Sequence, residues 1–386
     1  MEKIIIIGGG GTGGALAYDL ALRGFNVSLY ERGELTSGTT GRHHGLLHSG
    51  ARYAVNDKEA ARECIRENMI LRKIAPEALE LNDGLFVGVD DEDMAFLDEF
   101  MESCAACGIP TEQLSKAKAL ELEPLLNPNL KVAVRIPDGT IDAWRLPMSF
   151  FAAAKARGAN INSFCEVVGI HKKKTCATGV RIKDHATGKE YDDSADLIVN
   201  ATGAWAERIA AMAGINIPIQ PGPGVMVAVD QRLTNMAINR LRPAGEGDII
   251  VPQRRYSVLG TSLWLADDPE NFSTPSEHVA MILRCCSAMV PTAFNAPVRA
   301  VWSAARPLIK SSGPVSNPQQ ISRTFACYDH KGIDNVEGIV SIIGGKATTL
   351  RGMAETTANL ICKKFGRDIC GRTECSALPS WRAYYQ

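Results

Sequence analysis

The apolar run Ile4–Ile7 has the length of one strand and is bounded by polar residues only on its amino-terminal side. It runs straight into Gly8-Gly9-Gly10-Gly11-Thr12-Gly13-Gly14 and then into the helix formers Ala15-Leu16-Ala17. That order reads as strand, tight turn, helix. A second strand over 26–30 follows Arg23-Gly24 and closes a βαβ unit over about residues 3–31. Residues 36–53 are rich in glycine and polar groups and make a poor regular element. Beyond them the pattern predicts helices over 56–75, with Asn56 or Asp57 as the cap, over 91–108, over 115–122 ending before Glu123-Pro124, and over 147–158. Strands are expected at 161–170, 177–184 and 189–200. The last carries Leu197–Asn200 into the small residues Ala201-Thr202-Gly203. Residues 217–265 read as antiparallel strands broken by Gly and Pro, followed by a helix at 276–289 before Pro291. A final strand from Gly338 enters a second glycine turn, Gly344-Gly345-Lys346, and a helix through about 365.

Gly8, Gly10 and Gly13 fill the three positions of G-x-G-x-x-G. The first permits the turn, the second lets a pyrophosphate approach the backbone, and the third lets the helix pack against the strand. The helix start offers N–H groups and a positive dipole end to phosphates. Glu31, at the end of the second strand, stands where a carboxylate accepts hydrogen bonds from ribose hydroxyls. A dinucleotide is the expected cofactor class. The elements that would build its site lie at the start, middle and end of the chain, with antiparallel material between them. The expected fold class is therefore α/β: a Rossmann-like domain of discontinuous segments (1–85, 140–215 and 321–386) and a mostly antiparallel α+β substrate or cap domain (86–139 and 216–320). Nicotinamide dehydrogenases usually keep the Rossmann unit contiguous, so a flavoprotein fits better.

At 386 residues the chain can hold two domains with their own cores. A net charge of −1 argues against nucleic acid as the main partner. No apolar run approaches the ~20 residues of a transmembrane helix, and the amino terminus enters a strand with no room for a signal peptide. The expected location is cytoplasmic, with peripheral contact at the inner face of the cell membrane left open; the aromatic tail Trp381 to Tyr385 is the one cue for it. Eleven scattered cysteines read as reduced thiols. Cys104 and Cys107 have C-x-x-C spacing without a second pair to complete a zinc site. They, Cys285-Cys286 and Cys370/Cys375 are read as packing residues, and no metal is expected.

Several longer stretches narrow the class. These are Gly38-Thr39-Thr40-Gly41-Arg42 with His44-Gly45-Leu46-Leu47-His48-Ser49-Gly50-Ala51-Arg52-Tyr53; Pro137-Asp138-Gly139-Thr140; Val199 to Gly203; Arg306-Pro307-Leu308; Ile321-Ser322-Arg323; and Gly344-Gly345-Lys346. They resemble the FAD-dependent glycerol-3-phosphate dehydrogenases of the D-amino-acid-oxidase-like flavoproteins, nearest to the large catalytic subunit of the anaerobic bacterial enzyme. The likeness runs from about residue 3 to about 378. Three departures stand out. Pro223-Gly224-Val225 replaces a Lys-Gly-Ser-like turn, and Trp302-Ser303-Ala304-Ala305 replaces Tyr-Ser-Gly-Val. The cysteine-rich carboxy-terminal region of the anaerobic subunit is not in this sequence. The first two bear on the substrate, the third on the electron acceptor.

The resemblance implies FAD and oxidation of a phosphorylated polyol, most simply sn-glycerol 3-phosphate to dihydroxyacetone phosphate, with electrons passed to a membrane quinone or a partner subunit. Arg306 and Arg323 are candidates for the substrate phosphate, because guanidinium groups make fork-shaped, charge-assisted hydrogen bonds to it. Internal carboxylate pairing is the alternative for both. Arg52 and Tyr53 are further substrate contacts. His48 is the candidate base at the carbinol, since imidazole titrates near neutral pH. Lys346 could stabilise negative charge on the reduced flavin or on the substrate; Arg306 and Lys346 complete the catalytic set with His48. Ser37, Thr39, Thr40 and Arg42 are assigned to the pyrophosphate and ribityl chain, and Thr348 and Thr349 to flavin hydrogen bonds. Of His43 and His44 at most one faces the cofactor. Thr12, Arg32, His44, Gly45, Val168, Ala201, Gly203, Gly344, Gly345 and Lys346 complete the cofactor-binding set with Gly8, Gly10, Gly13 and Glu31. Two other functions stay open: an FAD-dependent oxidase or dehydrogenase of a 2-hydroxy acid or amino acid, and a flavin subunit that relays electrons within a complex.

Overall fold

The computed structural model describes residues 1–310 and 324–386. Its centre is a six-stranded sheet in the order Phe325–Asp329, Ile339–Gly344, Leu197–Asn200, Lys3–Ile7, Asn26–Tyr30, Asn160–Asn162. All neighbours run parallel except the edge strand Phe325–Asp329. Ile4 and Ile6 face one core with helices Gly11–Leu22, Arg145–Ala156 and Leu350–Lys364. Ile5 and Ile7 face another, with Val167, Val180, Ile182 and helix Ala206–Met212. Period-two alternation with both faces covered explains a strand that is isoleucine at four positions running. The discontinuous Rossmann-like arrangement is therefore the observed one.

A second sheet holds eight strands in the order Val298–Ile309, Ile219–Val229, Tyr256–Gly260, Ile249–Gln253, Ala237–Arg240, Gly84–Gly88, Val132–Ile136, Glu112–Leu114. Helix Ser276–Met289 covers one face through Ile282, Cys286 and Met289. Its pairs are antiparallel, except that Ala237–Arg240 runs parallel to Gly84–Gly88. The strands expected over 217–265 are thus antiparallel to one another, and the one parallel pairing brings in Gly84–Gly88 from outside that segment. The strand Val298–Ile309 is not visible in the sequence pattern, because Arg299, Arg306 and Pro307 interrupt it. Proline is tolerated there because this is the sheet edge. Pro221 and Pro223 lie beyond the ladder to Tyr256–Gly260, and their carbonyls accept from Ala266 and Trp264 N–H.

Other boundaries shift for local reasons. The helix expected over 91–108 divides into Asp91–Ala95 and Leu97–Ala106, with buried Asp93 of the first piece drawn to Arg240. The strand expected over 189–200 divides at Asp196, whose carboxylate accepts the Lys3 N–H at the start of the central strand. Asp57 caps helix Lys58–Ile74 by accepting from Ala60 N–H at 3.1 Å. Cys104, Cys107 and Cys286 are buried as packing residues, whereas Cys370 and Cys375 are exposed, contrary to that reading. Among the described residues no helix is long and apolar enough to cross a membrane.

Candidate functional site

The glycine turn is built by close approach. Gly8 has φ of +109°, and a Cβ on it would lie 2.7 Å from the Ala201 carbonyl oxygen. A Cβ on Gly13 would lie 2.0 Å from Gly8 O, so only glycine lets the helix start sit against the strand end. Helix Gly11–Leu22 has no side-chain cap at Gly10. Glu31 receives the Gly9 N–H at 2.7 Å and the Gly33 N–H at 2.9 Å, which holds its carboxylate beside the turn.

These groups line a cavity of about 1930 Å³ that reaches from the glycine turn to the second sheet. Ordinary small-molecule sites occupy about 300–1,000 Å³, so this one has room for a large cofactor and a small substrate together. Its wall includes Gly8, Gly10, Thr12, Glu31, Arg32, Ser37, Thr39, Thr40, Arg42 and His44, then Ala201, Gly203, Gly344 and Gly345. His48, Arg52, Tyr53, Arg306 and Lys346 line the same space. Gly13 and Gly45 lie behind the wall; Gly45 is where a Cβ would strike the Gln253 amide. Val168 lies outside it. It is the extra residue of a bulge between the Val167 and Gly169 pairs, and Glu166 and Val167 reach the cavity instead. Arg323 lies outside the described residues.

Thr348 and Thr349 also differ from expectation. Both are buried and absent from the wall. Thr348 Oγ1 accepts the His48 backbone N–H at 3.0 Å, and Thr349 Oγ1 closes the turn with Lys346 N–H and C=O. Their hydroxyls serve the protein rather than a ligand in the cavity.

The rings form a chain. His44 and His48 stand 5.8 Å apart edge to face, His48 and Tyr53 5.3 Å apart, and Lys346 Nζ lies 5.0 Å from the Tyr53 ring centroid. Backbone donors set the histidine tautomers: Gly45 N–H bonds His43 Nδ1 at 2.9 Å and Leu46 N–H bonds His44 Nδ1 at 3.1 Å. The proton of each neutral ring therefore sits on Nε2. Burial, with smaller contributions from neighbouring cations, lowers His44 to about 3. Burial lowers His43 to about 4 against the pull of Asp142. His48 falls well below its ordinary value, first through burial and then through His44, Lys346 and Arg52. It does not titrate near neutrality as the sequence suggests: the ring is neutral there, and burial makes it a weaker base than a free imidazole.

Arg306 donates to the Gly222 and Ser262 carbonyls, both at 3.3 Å, and to Thr261 Oγ1 at 3.0 Å. Arg52 donates through Nη2 to Asp248 at 2.6 Å and to the Gly245 carbonyl at 2.8 Å. Among the described residues its Nη1 is buried with no hydrogen-bond partner. A buried guanidinium nitrogen without an acceptor is costly, and Arg52 lines the cavity. The described wall carries seven Lys or Arg against four Asp or Glu, an excess suited to anionic ligands.

The family model described as FAD dependent oxidoreductase (DAO) matches residues 3–351. The chain belongs to this family. As a DAO-family protein it is an FAD-dependent oxidoreductase, and the glycine turn, Glu31 and the large cationic cavity fit such a cofactor. Anaerobic glycerol-3-phosphate dehydrogenase subunit A1 of Haloferax volcanii is 41% identical over 98% of this chain, which spans 66% of that protein. The chain thus covers about two thirds of that relative's length. The crystal structure of L-proline dehydrogenase from P. horikoshii superposes with a TM-score of 0.78 at 23% identity, covering 95% of this chain and 94% of that one. The glycerol-3-phosphate dehydrogenase from Bacillus halodurans complexed with FAD gives 0.72 at 23% identity, covering 98% and 68%. At such identities the two structures establish the fold.

Several residues at or behind the wall carry no motif. Asp248, behind the wall, and Thr261, on it, reach Arg52 and Arg306 only through the second sheet. Trp205, Arg208 and Glu270 form a surface network with Arg32 across one rim. Glu270 lies in a segment without periodicity, and nothing local marks it.

Proposed function

We propose that this protein oxidises sn-glycerol 3-phosphate, or a closely related polyol phosphate, to dihydroxyacetone phosphate, and passes the electrons to a quinone or a partner subunit. The bound FAD supplies the hydride acceptor. Gly8, Gly10 and the start of helix Gly11–Leu22 would hold its pyrophosphate, with Gly13 allowing the close helix packing behind them, and Glu31 would hold its ribose. The observation that carries the substrate assignment is the set of cations Arg52, Arg306 and Lys346 on the wall of one cavity. Three cations on the wall of one cavity suit a phosphate ester. They hold the substrate by its anionic end and so limit the positions its carbinol can take. His48, neutral and shielded from water, takes the hydroxyl proton at a ring nitrogen.

The 41% identity to a protein named for glycerol 3-phosphate supports this reading. A carboxylate would also suit a guanidinium fork, so the test must compare the two anions. Flavin-loaded protein is titrated anaerobically with sn-glycerol 3-phosphate, glycerol, L-lactate and L-proline while the flavin absorbance is followed. The expected result is bleaching by the phosphate ester at concentrations at which glycerol leaves the spectrum unchanged. Bleaching by the hydroxy or amino acid, with no response to polyol phosphates, overturns the substrate assignment.

A further inference from the structure

The backbone that carries His48 is pinned from three directions. Its own N–H donates to Thr348 Oγ1 at 3.0 Å, from the turn before the last long helix. Its carbonyl accepts from Asn68 Nδ2 at 3.2 Å, from helix Lys58–Ile74. The N–H of the next residue, Ser49, donates to Asp138 Oδ1 at 2.6 Å, from the Pro137-Asp138-Gly139 segment. The last two bonds hold the two ends of one rigid peptide plane, and the first holds the plane before it. Together they fix both backbone torsions of His48, and with them the direction in which its imidazole leaves the chain.

Asp138 is the unexpected member of this clamp. It is 3% exposed. A backbone amide or a hydroxyl could accept one N–H without the cost of burying a carboxylate. Burial raises its pKa to about 6 against the opposing hydrogen bonds of Ser49 and Asn239, so it is mainly charged at neutral pH. Charge-assisted bonds of this kind are short and stiff. The neighbouring strand makes room for it: a Cβ on Gly84 would lie 2.7 Å from the Asp138 Cβ. Arg72 further ties the segment by donating to the Pro137 and Asp138 carbonyls at 2.9 and 2.8 Å.

We propose that Asp138 is a positioning residue that sets the orientation of His48 through the Ser49 N–H, so that the imidazole meets the substrate hydroxyl. This rests on the reading of His48 as the proton acceptor. Asp138 does not itself line the cavity, and it acts on the proton-transfer step rather than on anion binding.

The test uses the flavin-loaded protein and the variants D138A, D138N, H48Q and H48Q/D138A, each checked for flavin content and thermal midpoint. Flavin reduction by sn-glycerol 3-phosphate is followed by anaerobic stopped flow. D138A is expected to lower the limiting reduction rate roughly 10- to 100-fold, the scale of a misplaced catalytic group. The half-saturating substrate concentration should stay within about twofold, because displacing His48 does not touch the anion contacts. D138N, which keeps an acceptor oxygen for Ser49, should recover much of the rate and serves if D138A does not fold. In the H48Q background D138A should cost nothing further. A partial loss in H48Q that multiplies with the D138A loss, or a D138A protein that reduces at the wild-type rate, overturns the positioning role but leaves His48 as acceptor. An H48Q protein that reduces at the normal rate removes the His48 reading and the proposal with it.

Discussion

Removal of the Arg52 guanidinium tests the anion site most directly, provided that its structural and ligand-binding roles are separated. In the Arg52–Asp248 pair the side chains are 10% and 6% exposed. Arg52→Met alone strands a buried carboxylate, a defect of about 3–5 kcal/mol in stability. A loss of activity in that variant would say little about substrate. The double variant R52M/D248N removes both charges, and most of the stability should return. What it still lacks is the Arg52 guanidinium on the cavity wall. A hydrogen bond from a charged donor contributes about 1.5–3 kcal/mol, or roughly 10- to 150-fold in half-saturating concentration for an anionic substrate. The assay is anaerobic flavin reduction by sn-glycerol 3-phosphate, with urea unfolding of all four members of the cycle alongside. A stable double variant that is saturated at the wild-type concentration would refute the assignment of Arg52 to the substrate anion.

Other outcomes follow from the same geometry. Gly13→Ala places a Cβ 2.0 Å from Gly8 O, so the purified variant should carry little flavin per protein by absorbance; a full complement would contradict the close-approach argument. Arg351→Met strands Glu67 and Glu355, which the 1% exposed guanidinium now bridges at 2.6 and 3.0 Å. That should cost about 3–5 kcal/mol in urea unfolding, because the bridge joins helices Lys58–Ile74 and Leu350–Lys364. In the ligand-free protein His43 and His44 sit at about 4 and about 3, below the ordinary 6.5. The unfolded chain therefore takes up protons first as pH falls. Their contribution to stability is full above about 6.5 and is lost as the pH drops toward 4 and then 3, a slope that the H43Q/H44Q variant should flatten in the same unfolding assay.

Much of the architecture was legible because it is written locally. The glycine turn, the run Ile4–Ile7, Glu31 and the repeat of strand and glycine turn at Gly338 to Gly345 each report a backbone requirement that few residues meet. The discontinuous Rossmann-like region could be inferred from the spacing of those signals. The strands Gly84–Gly88, Val132–Ile136 and Val298–Ile309 were not visible. Their sides are covered by different neighbours, or their period is broken by Pro and Arg, so no regular alternation survives.

The candidate site divides along the same line. The types of side chain that reach the cavity, among them His48, Arg52, Arg306 and Lys346, follow from stretches that can be read in order along the chain. Which of their hydrogen-bonding atoms remain for a ligand depends on residues far away in sequence. Asp248 claims one arm of Arg52, Thr348 and Asn68 hold the backbone of His48, and Thr349 is spent on its own turn. Local patterns encode the torsions and faces of single elements. Partners that meet only when two sheets and three helices pack together leave no periodic mark, so their assignment belongs to the folded protein alone.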